Sequence, residues 1–225
     1  MSDATVQIVR EFFEFNGFHV MTHWRHDAVR FRGAEQGIQF YVENTAPSIE
    51  RSLDLVLRPG DIAAIGRALV EVRPWHTERL YASTIEASPV LLEVAGESAK
   101  ARARQVFGVD DAKSILVISE LPQSPEPRLR SIEAFREGGV DHVLEFPTIL
   151  QEIIGKINAS VSYAPSQTLQ TIRLLKRYEF IRRQQLEFPF SMDPPIYPSQ
   201  TQIECENESQ MSENPSFAPP SEPAS

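Results

Sequence analysis

Glu71 stands between Val70 and Val72, in a run apolar enough to be a buried strand. An ionised carboxylate there is costly unless it is paired or binds a metal. Strand alternation over residues 68–73 puts Ala68, Val70 and Val72 on one face and Leu69, Glu71 and Arg73 on the other. Two acids lie upstream: Asp54, in a strand expected over residues 53–57, and Asp61, which opens Asp-Ile-Ala-Ala-Ile-Gly-Arg. A hairpin between residues 53–57 and 68–73 would bring one of them beside Glu71. Two carboxylates with open water positions make a site for Mg²⁺ or Mn²⁺. Such an ion activates water and stabilises charge on a phosphodiester transition state.

Each residue also has a plainer reading. Glu71 and Arg73 suit an ion pair two residues apart on one sheet face. Asp54 has Arg51 and Arg58 as neighbours. Asp61 follows Pro59-Gly60 and suits the cap of a short helix, which makes Asp54 the first choice as metal ligand. His76, just beyond the strand, either lines the same cleft or is an ordinary loop histidine. His23 and His26 have no partner at ligand spacing and read as surface residues.

The elements that must position these residues follow from periodicity. Residues 5–15 repeat apolar side chains at three- and four-residue spacing, and Asn16-Gly17 supplies a left-handed stop. Short strand candidates at residues 18–24, 38–42, 53–57 and 68–73 suggest an antiparallel meander. Beyond Pro74 the rhythm changes to helix 99–107, strand 114–119, helix 128–137, strand 141–146 and helix 148–157. That alternation predicts parallel strands joined by right-handed crossovers. Residues 166–185 read as one long final helix with a basic face (Arg173, Lys176, Arg177, Arg182, Arg183).

The order helix, meander, acid, hairpin and Glu-Val-Arg at a strand end resembles the PD-(D/E)XK, or restriction-endonuclease-like, superfamily. The resemblance spans about residues 5–120, and the elements after Glu71 also fit its core. It implies an α/β fold with a mixed central sheet flanked by helices, and metal-dependent phosphodiester hydrolysis of DNA. Asp54 or Asp61 would be the first metal-binding acid and Glu71 the second, holding Mg²⁺ or Mn²⁺. Glu11 on the first helix matches an auxiliary acid. Arg73 stands where the family usually has lysine. Being permanently protonated, it cannot take a proton from water, though it can hold a phosphate. The Pro-Asp dipeptide is replaced by Leu53-Asp54 or Gly60-Asp61.

Composition narrows the remaining classes. Hydrophobic residues make up 41% of the 225, enough for a core in residues 1–185. The single cysteine, Cys205, excludes a disulfide framework. No secretory signal or membrane span is expected, which points to the cytoplasm. Residues 186–225 hold eight prolines and seven acids, and read as a disordered tail able to bind a protein partner. Removing those seven acids from the net charge of −9 leaves the body at about −2, which neither favours nor forbids nucleic acid. No P-loop, dinucleotide fingerprint or nucleophile elbow is present. Two alternatives remain beside the nuclease. One is a catalytically silent domain of the same fold, used for protein interaction or regulation. The other is a receiver-like or flavodoxin-like second half, with Ser119, Glu120 and Glu145 at its strand ends.

Overall fold

The structure is a computed structural model describing residues 4–22, 37–48, 52–73, 76 and 79–181. The chain divides into two units, Met1–Arg183 and Gln184–Ser225, and every described element lies in the first. The tail, His23, His26, Arg182, Arg183 and Cys205 fall outside the described residues.

Helix α1 (Ala4–Phe15) leads into β1 (Phe18–Met21), β2 (Ile38–Asn44) and β3 (Arg67–Val72). A short 3₁₀ helix, Asp61–Ala64, precedes β3. Next come α2 (Ala82–Ala87), a second 3₁₀ segment (Pro89–Ala95), α3 (Glu97–Phe107) and β4 (Lys113–Ile118). The described fold ends with α4 (Pro125–Glu137), β5 (His142–Glu145), α5 (Phe146–Lys156) and α6 (Gln167–Arg177). The sheet order is β1-β2-β3-β4-β5. The first two pairings are antiparallel and the last two parallel, giving the expected α/β fold with a mixed sheet flanked by helices.

Alternation sorts the sheet's side chains into two cores. Ala68, Val70 and Val72 of β3 join Ile115, Val117 and Leu144 beneath Val9, Phe12 and Phe13 of α1, with α5 and α6 alongside. On the opposite face Leu69, Tyr41, Leu116 and Val143 pack against Ile85, Leu91, Ala99 and Phe135. Two apolar faces covered by helices make a three-layer sandwich, as expected for strands buried on both sides.

The structure corrects two expectations that bear on the site. Residues 53–57 do not pair with β3, because a strand has two edges and β2 and β4 occupy both. They run instead along the outer edge of β5: Val143 N donates to Leu55 O at 2.7 Å, and Leu57 N donates to Val143 O at 2.9 Å. The final helix is also shorter than its amphipathic pattern suggests. It closes after Arg177, with Phe180 N donating to Leu175 O at 2.9 Å and Glu179 N to Lys176 O at 3.3 Å. These two bonds form the turn that usually places glycine in the left-handed position. Here Glu179 occupies it, at φ 62°.

Two of the helix's basic residues serve the fold. Lys176 Nζ donates to Ile154 O and Ile157 O at 2.6 Å each, and Arg173 Nε donates to Ala159 O at 3.1 Å. They satisfy carbonyls at and beyond the end of α5, which lack helical partners.

A left-handed backbone costs a non-glycine residue about 1 kcal/mol. Glu179→Gly is therefore expected to stabilise the protein by about that amount, seen as a rise of about 2–4 °C in Tm. No rise, or a fall, would show that the Glu179 side chain contributes something the glycine loses.

Candidate functional site

Glu71 and Arg73 lie on the face of β3 that carries Leu69, beneath the Pro89–Ala95 segment and α3. Both are deeply buried, at 0% and 3% exposure. They form an ion pair between Arg73 Nη2 and Glu71 Oε1. The other carboxylate oxygen accepts from Gln39 Nε2 at 2.6 Å, and Gln39 is the direct cross-strand partner of Glu71 on β2. Arg102 Nη2 of α3 donates to Gln39 Oε1 at 3.2 Å, and Arg73 Nη2 donates to Val90 O at 2.8 Å. The result is a continuous polar network from α3, across two strands, to the 3₁₀ segment.

Gly37 lets the network fit. A Cβ there would stand 2.6 Å from Glu71 Oε1 and 2.7 Å from Arg73 Nε. The β2 strand can thus start directly against the ion pair.

Electrostatics at Glu71 set burial against pairing. Burial pushes its carboxyl above the ordinary range, outweighing the downward pull of the Arg73 charge and the Gln39 hydrogen bond. Glu93, on the facing 3₁₀ segment, adds a weaker upward push. A carboxylate taken from water regains that cost only through a well-formed pair with its other lone pairs satisfied; here Arg73 and Gln39 offset part of it and burial keeps the upper hand.

The other expected site residues lie elsewhere. Asp54 pairs at 3.0 Å with Arg58, in the open, its side chain 69% exposed. It sits beyond β5, three strand spacings from β3, or about 14 Å. Asp61 begins the short 3₁₀ helix, and its Oδ2 accepts from Arg58 N at 2.9 Å, a local turn role. Glu11 is on α1, across the sheet from Glu71, where its Oε1 accepts from Gln7 at 2.8 Å and from Ser166 Oγ at 2.6 Å. His76 also faces the α1 side: its Nε2 is 2.8 Å from Thr5 Oγ1, and its ring lies 4.7 Å from that of Phe146. The structure thus brings together Glu71 and Arg73, and places Asp54, Asp61, Glu11 and His76 elsewhere.

That arrangement bears on the metal. Two carboxylates and a carbonyl would suit Mg²⁺ or Mn²⁺, but of Asp54, Asp61 and Glu71 only Glu71 is here, and a guanidinium already fills its cation position. Among the described residues no group of three or more His, Cys, Asp or Glu is placed to hold a metal ion. The described donor set does not fit a hard divalent cation.

Gln39 and Arg102 were missed by the sequence reading. The signal for Gln39 was available: it is a polar residue inside β2 on the same face as Tyr41, opposite Glu71. Arg102 gave no such signal, because its reach to Gln39 depends on how α3 docks. The strand ends proposed for a receiver-like site are also internally satisfied. Glu145 accepts from Arg128 at 2.5 and 3.2 Å and from Leu121 N at 2.8 Å, and Glu120 pairs with Arg79 at 3.0 Å.

The raised carboxyl has a pH signature. The folded state holds the Glu71 proton more tightly than the unfolded chain does. Its contribution to stability is therefore fully present below the ordinary carboxylate range and falls as pH rises towards the raised value. Glu71→Gln should remove that fall. The stability of the wild type minus that of the variant, from urea unfolding between about pH 4 and 8, is expected to decrease as pH rises. A difference that grows instead would mean that pairing with Arg73 outweighs burial.

No family model, curated protein or solved structure matches this chain.

Proposed function

We propose that the chain is a restriction-endonuclease-like domain whose catalytic position has become a structural ion pair. It would serve as a protein-interaction or regulatory module and not as a nuclease. The order of elements supports the fold assignment: a helix, an antiparallel three-strand meander, a crossover on one face and parallel strands after it. The observation that carries the functional reading is the Glu71–Arg73 pair, closed on one side by Gln39 and on the other by Val90 O.

The chemistry of the replacement favours this reading. Lysine is a compact charge on a flexible stem, and it can leave a carboxylate free to share a cation. Arginine has a rigid fork that engages a carboxylate and a carbonyl together. Here Arg73 Nη2 meets both Glu71 Oε1 and Val90 O, and the partner acids Asp54 and Asp61 are engaged in local turns and pairs. A divalent ion would have to displace a buried guanidinium and leave it unpaired, a cost of about 3–5 kcal/mol by the measure of broken buried pairs.

The nuclease reading keeps support from the position of Glu-Val-Arg at the end of the third strand, and one experiment separates the two. Crystals soaked in Mn²⁺ are expected to show no anomalous peak beside Glu71. The purified full-length chain with Mg²⁺ or Mn²⁺ is expected to leave double- and single-stranded DNA intact. A manganese peak on Glu71, with DNA cleavage abolished by Glu71→Gln, would overturn the module reading and establish a metal-dependent nuclease.

A further inference from the structure

Large apolar side chains left in the open concentrate at one place, the outer side of α6 and the turn that closes it. Leu174 and Leu175 are 39% and 38% exposed, Tyr178 66% and Phe180 80%. Single apolar residues scattered over a surface are normal, whereas a cluster marks a contact site. Thr171, Leu174, Leu175 and Tyr178 follow the i, i+3, i+4, i+7 spacing of a stripe along one side of a helix, and Phe180 extends it into the turn. Leu169 and Ile172, which α6 buries against α1 and α5, fall on the other side.

The helix that carries the stripe is pinned at both ends. At its start Ser166 Oγ donates to Glu11 Oε1 at 2.6 Å and accepts from Leu169 N at 3.0 Å. Towards its end Arg173 and Lys176 hold the carbonyls at and beyond the end of α5. A patch ordered in advance loses little freedom when it binds.

Charge points to what covers the patch. Arg177 and Glu179 flank Tyr178 in the chain and both are exposed. Among the described residues neither side chain has an ion pair or a hydrogen bond. A partner of one charge sign would attract one of them and repel the other. A second copy of the same surface offers each its opposite, because a two-fold contact pairs the same two residues twice.

We infer that this surface is a self-association site, on which two copies of the chain pair about a two-fold axis. Leu174, Tyr178 and Phe180 supply the apolar contact, and Arg177 of each copy stands opposite Glu179 of the other. Four apolar side chains are far fewer than the roughly 20 residues a side of a standard interface, so the dimer is weak and reversible. The site lies across the sheet from Glu71 and does not rest on the reading of that residue.

Sedimentation equilibrium of the full-length chain between about 5 and 500 µM tests it, with a Kd on the order of 100 µM expected. Replacing Tyr178 and Phe180 together by serine, at side chains already exposed, is expected to weaken the dimer about tenfold or more while the Tm measured at low concentration stays unchanged. Arg177→Glu and Glu179→Arg are each expected to weaken it about fivefold, and the two together to recover the original affinity within about twofold. A chain that stays monomeric throughout overturns the inference, whether its own tail or another protein then takes the patch. So does a dimer that the two serines leave intact, or one in which the double charge reversal brings no recovery.

Discussion

The central constraint is that β3 is used on all sides. Its two edges are taken by β2 and β4, and its two faces by separate cores. An extended segment with four occupied sides has no room for an uncommitted polar group. Glu71 must therefore find its partners inside the protein, and it finds them along the strand in Arg73 and across the strand in Gln39. The same crowding explains why Gly37 is placed where any side chain would collide with the pair. The position that resembles a catalytic acid is thereby a part of the packing.

The parts of the fold with strong local period were legible in the sequence. Residues 5–15, 38–42, 68–72, 114–118 and 142–145 lie in elements of the expected type, because their apolar spacing is set by the faces they bury; the last three expected strands run a residue too far at one end or both. The short α2 and the 3₁₀ segment after it were not read, since pieces of six and seven residues carry too little periodicity. The final helix was read too long because its apolar residues keep helical spacing through Phe180. The left-handed turn at Glu179 breaks it, and only glycine would have announced such a turn in sequence.

The candidate site was half legible. That Glu71 and Arg73 share a face follows from the two-residue period alone. Which acid stands beside them does not, because strand pairing is decided by competition for edges. Residues 53–57 were expected beside β3, whose edges are both taken, and they settle instead on β5, which ends the sheet order. The contact of His142 Nδ1 with Asp54 O, at 3.1 Å, was not legible for a related reason: the carbonyl is 88 residues away in sequence, a relation no local pattern encodes.

The position of residues 53–57 has a consequence for how the molecule meets its own copies. Strands with bare outer edges invite the same strand of another chain, and such pairing can continue without limit. Along β5 the amide and carbonyl of Val143 are both taken, by Leu55 O and Leu57 N, through a single bridge at Val56. A lone bridge occupies those groups but offers no regular ladder to the next arrival. The segment thus acts as a stopper that ends the sheet on this side and guards the parallel strands against runaway self-assembly.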